Sequence, residues 1–336
     1  MTHRRKPEAG SSPSLISEGI ALFTRDERAA AGSAVAVPPL AVPDRRALLA
    51  HVAALRPRQW VKNAVIFSAL IFSHTLVDPL YLLRTAAAFV VFCAASSAVY
   101  LLNDILDRKN DRAHPVKRRR PIAAGEVPVP VAATEAATLA GAAVVCSWLL
   151  GPAFAGLVAF YMSMNVLYSI WLKRVVIVDV MIISAGFVIR AVAGGVVIAV
   201  EISAWLILCT ILLSLFLGFT KRRQELAQLE SEAAAHRAIL KEYSVAFLDQ
   251  MIAIVTGGTI MAYSLYTLAP ETRAKFGTPY LALTIPFVLY GIFRYLYLVH
   301  QRNMGENPTG ALYADRALLV NVMLWAATVI VVLYAR

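Results

Sequence analysis

Three aspartates spaced for one face of a helix are the residues of this chain best suited to chemistry. Asp104, Asp107 and Asp111 stand at i, i+3 and i+7, so on a helix they share with Asn103 an arc of roughly 100°. Like charges on one face repel one another, and a cation is needed to hold them there. A divalent metal carrying a phosphorylated substrate is the natural candidate. The spacing therefore predicts that these four residues are catalytic and that the three aspartates bind Mg²⁺.

An apolar segment before this motif and a basic segment after it place the motif at a membrane surface. The run from Arg84 to Leu102 is long enough to cross a bilayer. In the basic stretch 114–125, Lys117, Arg118 and Arg120 are predicted to bind phosphate groups. The alternative is a solvated loop that follows the positive-inside rule, which explains the cations but not the three spaced aspartates.

A second polar cluster follows the sixth apolar segment. Lys221, Arg222 and Glu225 lie there, so cations outnumber carboxylates. A site with one acidic and one basic wall suits a substrate with a diphosphate and a separate phosphate, the first bound through metal and the second by Lys and Arg. The alternative is an ordinary basic loop.

Ionisable side chains also occur in and around the apolar segment 175–199. Tyr168, Lys173, Asp179 and Arg190 are predicted to line the substrate pocket, because an arginine in mid-membrane is costly and normally faces a polar cavity or a partner. Asp179 and Arg190 share a helix face about three turns apart. The alternative is a structural pair, Arg190 with Asp179 or with Asp104.

Two further features concern packing and the entry to the membrane. Arg58, Lys62 and Asn63 precede the first apolar segment, and the residues alone leave open substrate contact and interfacial snorkelling of the cations. The glycine pair 194–195 has no strand-turn-helix context for phosphate binding, so it predicts close helix packing.

The composition is that of a membrane protein. Of 336 residues, 59% are hydrophobic and only 16% are charged, and apolar runs of spanning length recur along the chain. We therefore predict an all-α, polytopic membrane protein with about nine transmembrane helices around a central cavity. The predicted spans are 64–82, 84–103, 128–150, 152–172, 175–199, 203–219, 246–268, 279–299 and 315–335.

The charge pattern predicts orientation and domain organisation. Most of the 32 Lys and Arg residues fall in the N-terminal region and in alternate loops, which favours a cytoplasmic N-terminus. The basic residues flank apolar spans and form no single soluble face, which argues against nucleic acid as a partner. Residues 1–45 are predicted to be a disordered cytoplasmic segment, and residues 46–336 the transmembrane catalytic domain.

The acidic motif and its sequel resemble a known family signature. N-D-x-x-D-x-x-x-D, here from Asn103 to Asp111, followed by R-P-x-x-x-G, here from Arg120 to Gly125, is similar to the signature of the UbiA superfamily of intramembrane prenyltransferases. Typical members carry a second aspartate-rich motif after the sixth helix. In this chain that place holds the segment 219–226 with one carboxylate and three cations, which counts against a metal-bridged prenyl diphosphate donor.

This departure is similar to one branch of the superfamily, the decaprenyl-phosphate phosphoribosyltransferases, which the segments 56–63, 114–125, 189–195 and 221–226 also resemble. The resemblance implies Mg²⁺-dependent transfer of 5-phosphoribose from phosphoribosyl diphosphate (PRPP) to decaprenyl or another polyprenyl phosphate, with release of diphosphate. It also implies that Arg58, Lys62 and Asn63 contact the substrate and that the protein has a role in cell wall arabinan biosynthesis. Together with the charge pattern, it predicts an active site on the cytoplasmic side of the inner membrane.

Three alternatives are left open. A prenyltransferase proper would move a polyprenyl group from its diphosphate to an aromatic acceptor. A transporter would use intramembrane charges along an ion path. A non-catalytic scaffold would leave the aspartate spacing unexplained. The expected partners are PRPP, polyprenyl phosphate and the lipid bilayer, and a homo-oligomer is one of the possible assembly states.

Overall fold

Apolar helices that run alternately in opposite directions build the molecule. The computed structural model describes residues 45–229, 242–302, 304–305 and 308–335, and within these ranges it is helical without strands. Eight helices of the described chain are long and apolar enough to span a bilayer. Those elements are α3 (Pro79–Leu106), α6 (Val129–Leu150), α7 (Pro152–Ile170), α8 (Val178–Val197), α9 (Ala204–Leu229), α10 (Val245–Leu268), α12 (Ile285–Arg302) with the preceding 3₁₀ turn Tyr280–Thr284, and α14 (Arg316–Tyr334).

Shorter elements connect and cover these helices. They are α1 (Arg45–Ala54), α2 (Phe67–Ile71), α4 (Arg108–Ala113), α5 (Pro121–Ala124), α11 (Pro270–Phe276), α13 (Pro308–Ala314), and 3₁₀ helices at Pro57–Ile66, Lys117–Arg119 and Leu172–Arg174. The predicted disordered segment 1–45 lies, except for Arg45, outside the described residues. The all-helical membrane fold predicted from the sequence is confirmed.

The first predicted span, 64–82, is wrong as a single helix. The chain forms the 3₁₀ helix Pro57–Ile66 and the five-residue α2, then turns before α3. The turn falls inside the predicted span because the Asp78 side chain accepts from the backbone N–H of Leu80 and Tyr81, and Pro79 occupies the first helical position. These are helix-start signals, which hydrophobicity alone does not reveal.

This first segment nevertheless runs the depth of the bundle, antiparallel to α3. Trp60 donates to Ser97 at 3.0 Å, and the Phe67 and Phe89 rings lie 5.7 Å apart, so successive residues meet earlier positions of α3. Ten 3₁₀ and five α-helical residues rise about 27 Å, close to the ~30 Å hydrocarbon thickness. Eight long helices and this segment together agree with the prediction of about nine crossings.

Close packing at a glycine holds the segment in place. A Cβ atom built on Gly194 of α8 would lie 2.0 Å from the carbonyl oxygen of Ile66. Only a residue without a side chain lets the two backbones approach so closely. The packing role predicted for the glycine pair is therefore confirmed.

The alternating directions give the bundle two distinct ends. The acidic motif lies at the C-terminal end of α3 and in α4, at the end of the bundle that also holds α5 and the start of α6. At the opposite end the Tyr334 hydroxyl, at the C-terminus of α14, donates to the Ile71 carbonyl at 2.9 Å. The C-terminal helix therefore ends far from the aspartates, at the other membrane face.

Candidate active site

The acidic motif straddles a helix break. Helix α3 ends at Leu106, Asp107 is its C-terminal cap, and α4 begins at Arg108. The prediction of one continuous helical stripe through Asp111 is therefore wrong in geometry. Across this break, Asp111 and Asp104 share the Arg120 side chain, whereas Asp107 faces the 3₁₀ helix Leu172–Arg174.

Asp104 and Asp111 converge on one cation. Asp104 is 2% and Asp111 4% exposed. The Arg120 Nη1 atom lies 3.0 Å from Asp104 Oδ1 and 2.7 Å from Asp111 Oδ2, and Arg56 donates to the same Asp104 oxygen at 2.5 Å. Burial raises the pKa of the Asp111 carboxyl, and the positive charge of Arg120 opposes this rise. Oxygens of two carboxylates thus meet at the Arg120 guanidinium, and Arg56 adds a second positive charge at Asp104.

Turn chemistry in the R-P-x-x-x-G sequence explains how Arg120 reaches this point. Arg120 caps the N-terminus of α5, Pro121 is its first residue, and Gly125 ends it with φ 86°, a left-handed conformation that favours glycine. Arg112 of α4 donates to the Ala123 carbonyl at 2.9 Å. This contact fastens the short helix to the acidic motif.

Asp107 belongs to a separate ion pair. Its Oδ1 atom lies 2.6 Å from Lys173 Nζ, in the 3₁₀ helix after α7. Tyr168, five residues earlier, accepts a hydrogen bond from Arg222 of α9 at 3.2 Å. The end of α7 therefore reaches both the acidic motif and the second polar cluster, so the two clusters predicted as opposite walls lie at the same end of the bundle.

The second cluster is a buried network around Arg222. This side chain is 1% exposed and donates to Asp179 at 2.6 Å and to Glu225 at 2.5 Å, as well as to Tyr168. Asp179 is fully buried and also accepts from the Tyr243 hydroxyl at 2.8 Å. Each guanidinium nitrogen of Arg222 is used within the protein, whereas Lys221, 3.9 Å from Glu225, is partly exposed.

A third polar group lies within the bundle. Arg190 is 5% exposed and donates to Asn63 at 2.7 Å, to Tyr161 at 2.7 Å and to the Gly186 carbonyl at 2.8 Å, none of which is an anion. The pairing of Arg190 with Asp179 or Asp104 that the sequence left open is not formed. The Lys62 ammonium is repelled by the positive charges of Arg190 and Arg56. Within the described chain it has no hydrogen-bond partner.

The remaining predicted residues lie at the margin. Arg58 and Arg118 are exposed, whereas Asn103 and Lys117 are partly buried near the motif. Substrate contact by these residues, and by the buried ones, stays a prediction.

Sequence analysis missed three residues that the structure brings into these groups: Arg56, Tyr161 and Tyr243. Arg56 stood in a segment noted for its basic residues, but nothing local to the two tyrosines signals their long-range partners.

The carboxylate oxygens of the acidic motif are suitable ligands for a divalent cation that also binds oxygens of the substrate. Mg²⁺ prefers carboxylate oxygens and keeps several positions for water or phosphate. Asp104 and Asp111 present oxygens that already share one positive group. Within the described chain no group of three or more His, Cys, Asp or Glu side chains converges, so the predicted three-aspartate ligand set is not assembled by the protein alone.

Comparison with known proteins agrees with this architecture. A family model described as the UbiA prenyltransferase family matches residues 64–315. A Mycolicibacterium smegmatis protein named decaprenyl-phosphate phosphoribosyltransferase is 33% identical, over 88% of this chain and 96% of its own. A Mycobacterium tuberculosis protein of the same name is 36% identical, over 83% of this chain and 92% of its own. A solved structure of a UbiA homolog from Archaeoglobus fulgidus bound to GPP and Mg²⁺ has a TM-score of 0.65 at 15% identity, covering 84% of this chain and 99% of that one.

Fold and site together define an all-helical integral membrane protein with a buried acidic motif at one end of its bundle. The chain belongs to the UbiA prenyltransferase family.

Proposed function

We propose that this protein transfers 5-phosphoribose from PRPP to decaprenyl or a similar polyprenyl phosphate and releases diphosphate. The proposal rests on the names of the relatives that this chain matches, together with the arrangement of charged residues in the candidate site. Relatives named for this reaction match most of both chains at 33% and 36% identity. At the same time, the acidic motif and the Arg222 network lie at the same end of the bundle, where the end of α7 contacts both of them.

The acidic motif is the proposed binding place of the diphosphate leaving group. Asp104 and Asp111, with Asp107 nearby, are the residues that would hold Mg²⁺, and the bound metal would neutralise charge that develops on the departing diphosphate. Arg120 and Arg56, which now pair with these carboxylates, stand beside the same position and have guanidinium groups suited to phosphate oxygens.

Two cations within the bundle would bind a second anionic group of the substrates. Lys62 and Arg190 lie in the interior without an anionic partner among the described residues. An isolated buried charge is costly, and a phosphate group would offset that cost. This place suits either the acceptor phosphate or the 5-phosphate of the donor.

The reaction exchanges one ester bond for another. The C1–O bond of the donor breaks with its electron pair leaving on diphosphate, and an oxygen of the lipid phosphate forms the new bond to C1. That oxygen is anionic at neutral pH, so a strong general base is not required. A nearby carboxylate, such as Asp104, would stabilise positive charge on the sugar in the transition state.

The proposed orientation places the reaction on the cytoplasmic side of the inner membrane. The basic segments 106–125 and 221–227 lie at the end of the bundle that carries the acidic motif, as the positive-inside rule requires. A water-soluble donor would reach this end from the cytoplasm, and the polyprenyl tail would lie along the apolar helices.

A direct assay tests the proposal. Purified protein in detergent receives PRPP labelled in the ribose, decaprenyl phosphate and Mg²⁺, and label in the lipid fraction is the expected result. Parallel reactions replace the donor by a polyprenyl diphosphate and the acceptor by 4-hydroxybenzoate. A prenylated aromatic product without labelled lipid would identify a prenyltransferase instead, and no transfer in either arm by correctly folded protein would refute both activities.

A further inference from the structure

A cavity of about 130 Å³ lies at the end of the bundle opposite the acidic motif. It is lined by the end of α2, by residues 201–203 before α9, by the start of α9, by Tyr266 near the end of α10, and by α11. All of these lie at the membrane face where α14 ends. The cavity is therefore remote from the reaction proposed above and needs its own explanation.

Three charged side chains line this cavity without an ion-pair partner among the described residues. Glu201, Glu271 and Lys275 are exposed, and none of them forms an ion pair with a described residue. Glu271 and Lys275 are four residues apart on α11, a spacing that allows pairing, yet Lys275 instead lies 5.5 Å from the ring of Phe276. Charges of both signs thus remain available to a ligand.

Two buried hydroxyl groups add to this observation. Tyr266 is 8% and Thr272 4% exposed, both line the cavity, and neither side chain has a hydrogen-bond partner in the described part of the chain. The hydroxyl oxygens of both side chains are not fully enclosed by protein atoms, and the cavity is the space on which they open. Two hydroxyls that open on one cavity, without a partner within the described chain, are available to a polar ligand.

We propose that this cavity binds the headgroup of an ethanolamine phospholipid. The ammonium would lie against Glu201 and Glu271 and the aromatic ring of Trp205, and the phosphate would contact Lys275. Tyr266 and Thr272 can donate to phosphate oxygens.

The size and position of the cavity favour this class of ligand. A volume of about 130 Å³ is well below the range of sites for drug-sized molecules, so it admits a headgroup but not a larger solute. Its place at the end of spanning helices is the level of lipid headgroups. A primary ammonium has three N–H donors for the carboxylates, whereas a choline group has none, so ethanolamine is preferred to choline.

Native mass spectrometry with defined lipids tests this assignment. Wild-type protein in detergent is exchanged with equal amounts of phosphatidylethanolamine, phosphatidylcholine and phosphatidylglycerol, and retention of the first should exceed the others by about tenfold. The double variant E201Q/E271Q should lose this preference, and K275Q should lower total retention. Two substitutions outside the cavity, E126Q and R273Q, should leave retention unchanged; R273Q is matched to K275Q on the same helix.

The Tyr266→Phe variant guards against effects of misfolding, since it keeps the ring and removes only an unpartnered hydroxyl. It should weaken phosphatidylethanolamine retention without lowering the melting temperature. Equal retention of all three lipids by the wild type, or unchanged selectivity in the double variant, would overturn the proposal. Binding of soluble phosphoethanolamine in preference to the lipid would overturn the assignment to a membrane lipid.

Discussion

At the scale of single residues, the site is organised by which cation each carboxylate meets. Arg120 bridges Asp104 and Asp111, whereas Asp107 pairs with Lys173. Two of the three aspartates therefore form one unit and the third forms another. Substitutions at these positions should have different consequences, although their spacing in the sequence suggests equivalence.

Asp104→Asn is expected to lower kcat/KM by about 100-fold or more, because the variant loses a carboxylate that would hold the Mg²⁺ that neutralises charge on the departing diphosphate. It should also raise the Mg²⁺ concentration that gives half-maximal rate. Initial rates measured against Mg²⁺ check both effects. Glu126→Gln, an exposed carboxylate outside the motif, serves as the control. A normal Mg²⁺ dependence in Asp104→Asn would argue against metal binding at this residue.

Lys62→Met is expected to raise KM for a phosphate-bearing substrate by about 10-fold or more, the effect of losing a charged hydrogen bond. Lys62→Arg should restore part of the affinity because it keeps the charge. Substrate titrations that vary donor and acceptor separately identify which phosphate Lys62 contacts. Arg302→Met removes an exposed cation from the same end of the bundle and should change neither KM value. An unchanged KM for both substrates in Lys62→Met would remove Lys62 from the site.

At the scale of elements, close packing and buried networks set the positions of the helices. The first segment packs its backbone on Gly194 of α8. Through that contact it carries Lys62 and Asn63 against Arg190. The Arg222 network joins α7, α8 and α9 to Tyr243, two residues before α10.

Gly194→Ala should destabilise the protein by about 1–3 kcal/mol, since its Cβ atom would meet the Ile66 carbonyl and overpacking has this cost. Gly257→Ala is the matched control, a glycine in α10 with no atom within 4 Å of an added Cβ. Thermal unfolding in detergent, followed by tryptophan fluorescence, compares the two variants. Equal melting temperatures for both would show that the segment shifts freely against α8.

Tyr243→Phe should reduce stability by about 1–3 kcal/mol, because the hydroxyl donates to buried Asp179 and accepts from the Ile177 N–H at 2.6 Å. Burial of the hydroxyl raises the pKa of Tyr243 to about 12, so it remains a donor at all physiological pH values. The free energy of unfolding of Tyr243→Phe is compared with that of Tyr280→Phe, whose tyrosine is exposed in the wild type. The difference gives the contribution of the Tyr243 hydroxyl. Equal stability of the two variants would mean that the network tolerates loss of this bond.

At the scale of the whole molecule, the bundle separates two chemical environments. One end carries the acidic motif and the basic segments, and the other carries the C-terminus of α14 and the lipid-headgroup cavity. Large apolar side chains on the helices between them, such as Trp148, Leu149 and Phe160, are exposed, as expected of surfaces that face lipid.

Cysteine labelling tests the sidedness of these ends. In a background with Cys93, Cys146 and Cys209 replaced by alanine, a cysteine at exposed Lys109 should react with an impermeant maleimide only after the cells are opened. A cysteine at exposed Arg273 should react in intact spheroplasts, because it lies at the opposite end. The reverse pattern would place the acidic motif outside and exclude a cytoplasmic donor.

The sequence by itself determined the class of fold and identified the residues of the candidate site. Apolar runs of spanning length, aspartate spacing and the basic replacement after the sixth apolar segment are local properties, and they predicted an all-helical membrane bundle with an acidic and a basic cluster. The helix boundaries were less accurate where capping overrides hydrophobicity, as at Asp78 and Pro79.

Only the tertiary structure decided which charges meet. Asp179 pairs with Arg222, 43 positions away, and not with Arg190 on its own helix, which instead reaches Asn63 across 127 positions. Side chains of a helix point toward its neighbours, and the rotation and depth of each neighbour are fixed by packing contacts such as Ile66 on Gly194. Such contacts join distant parts of the chain, so local spacing specifies the residues of the site but not their partners.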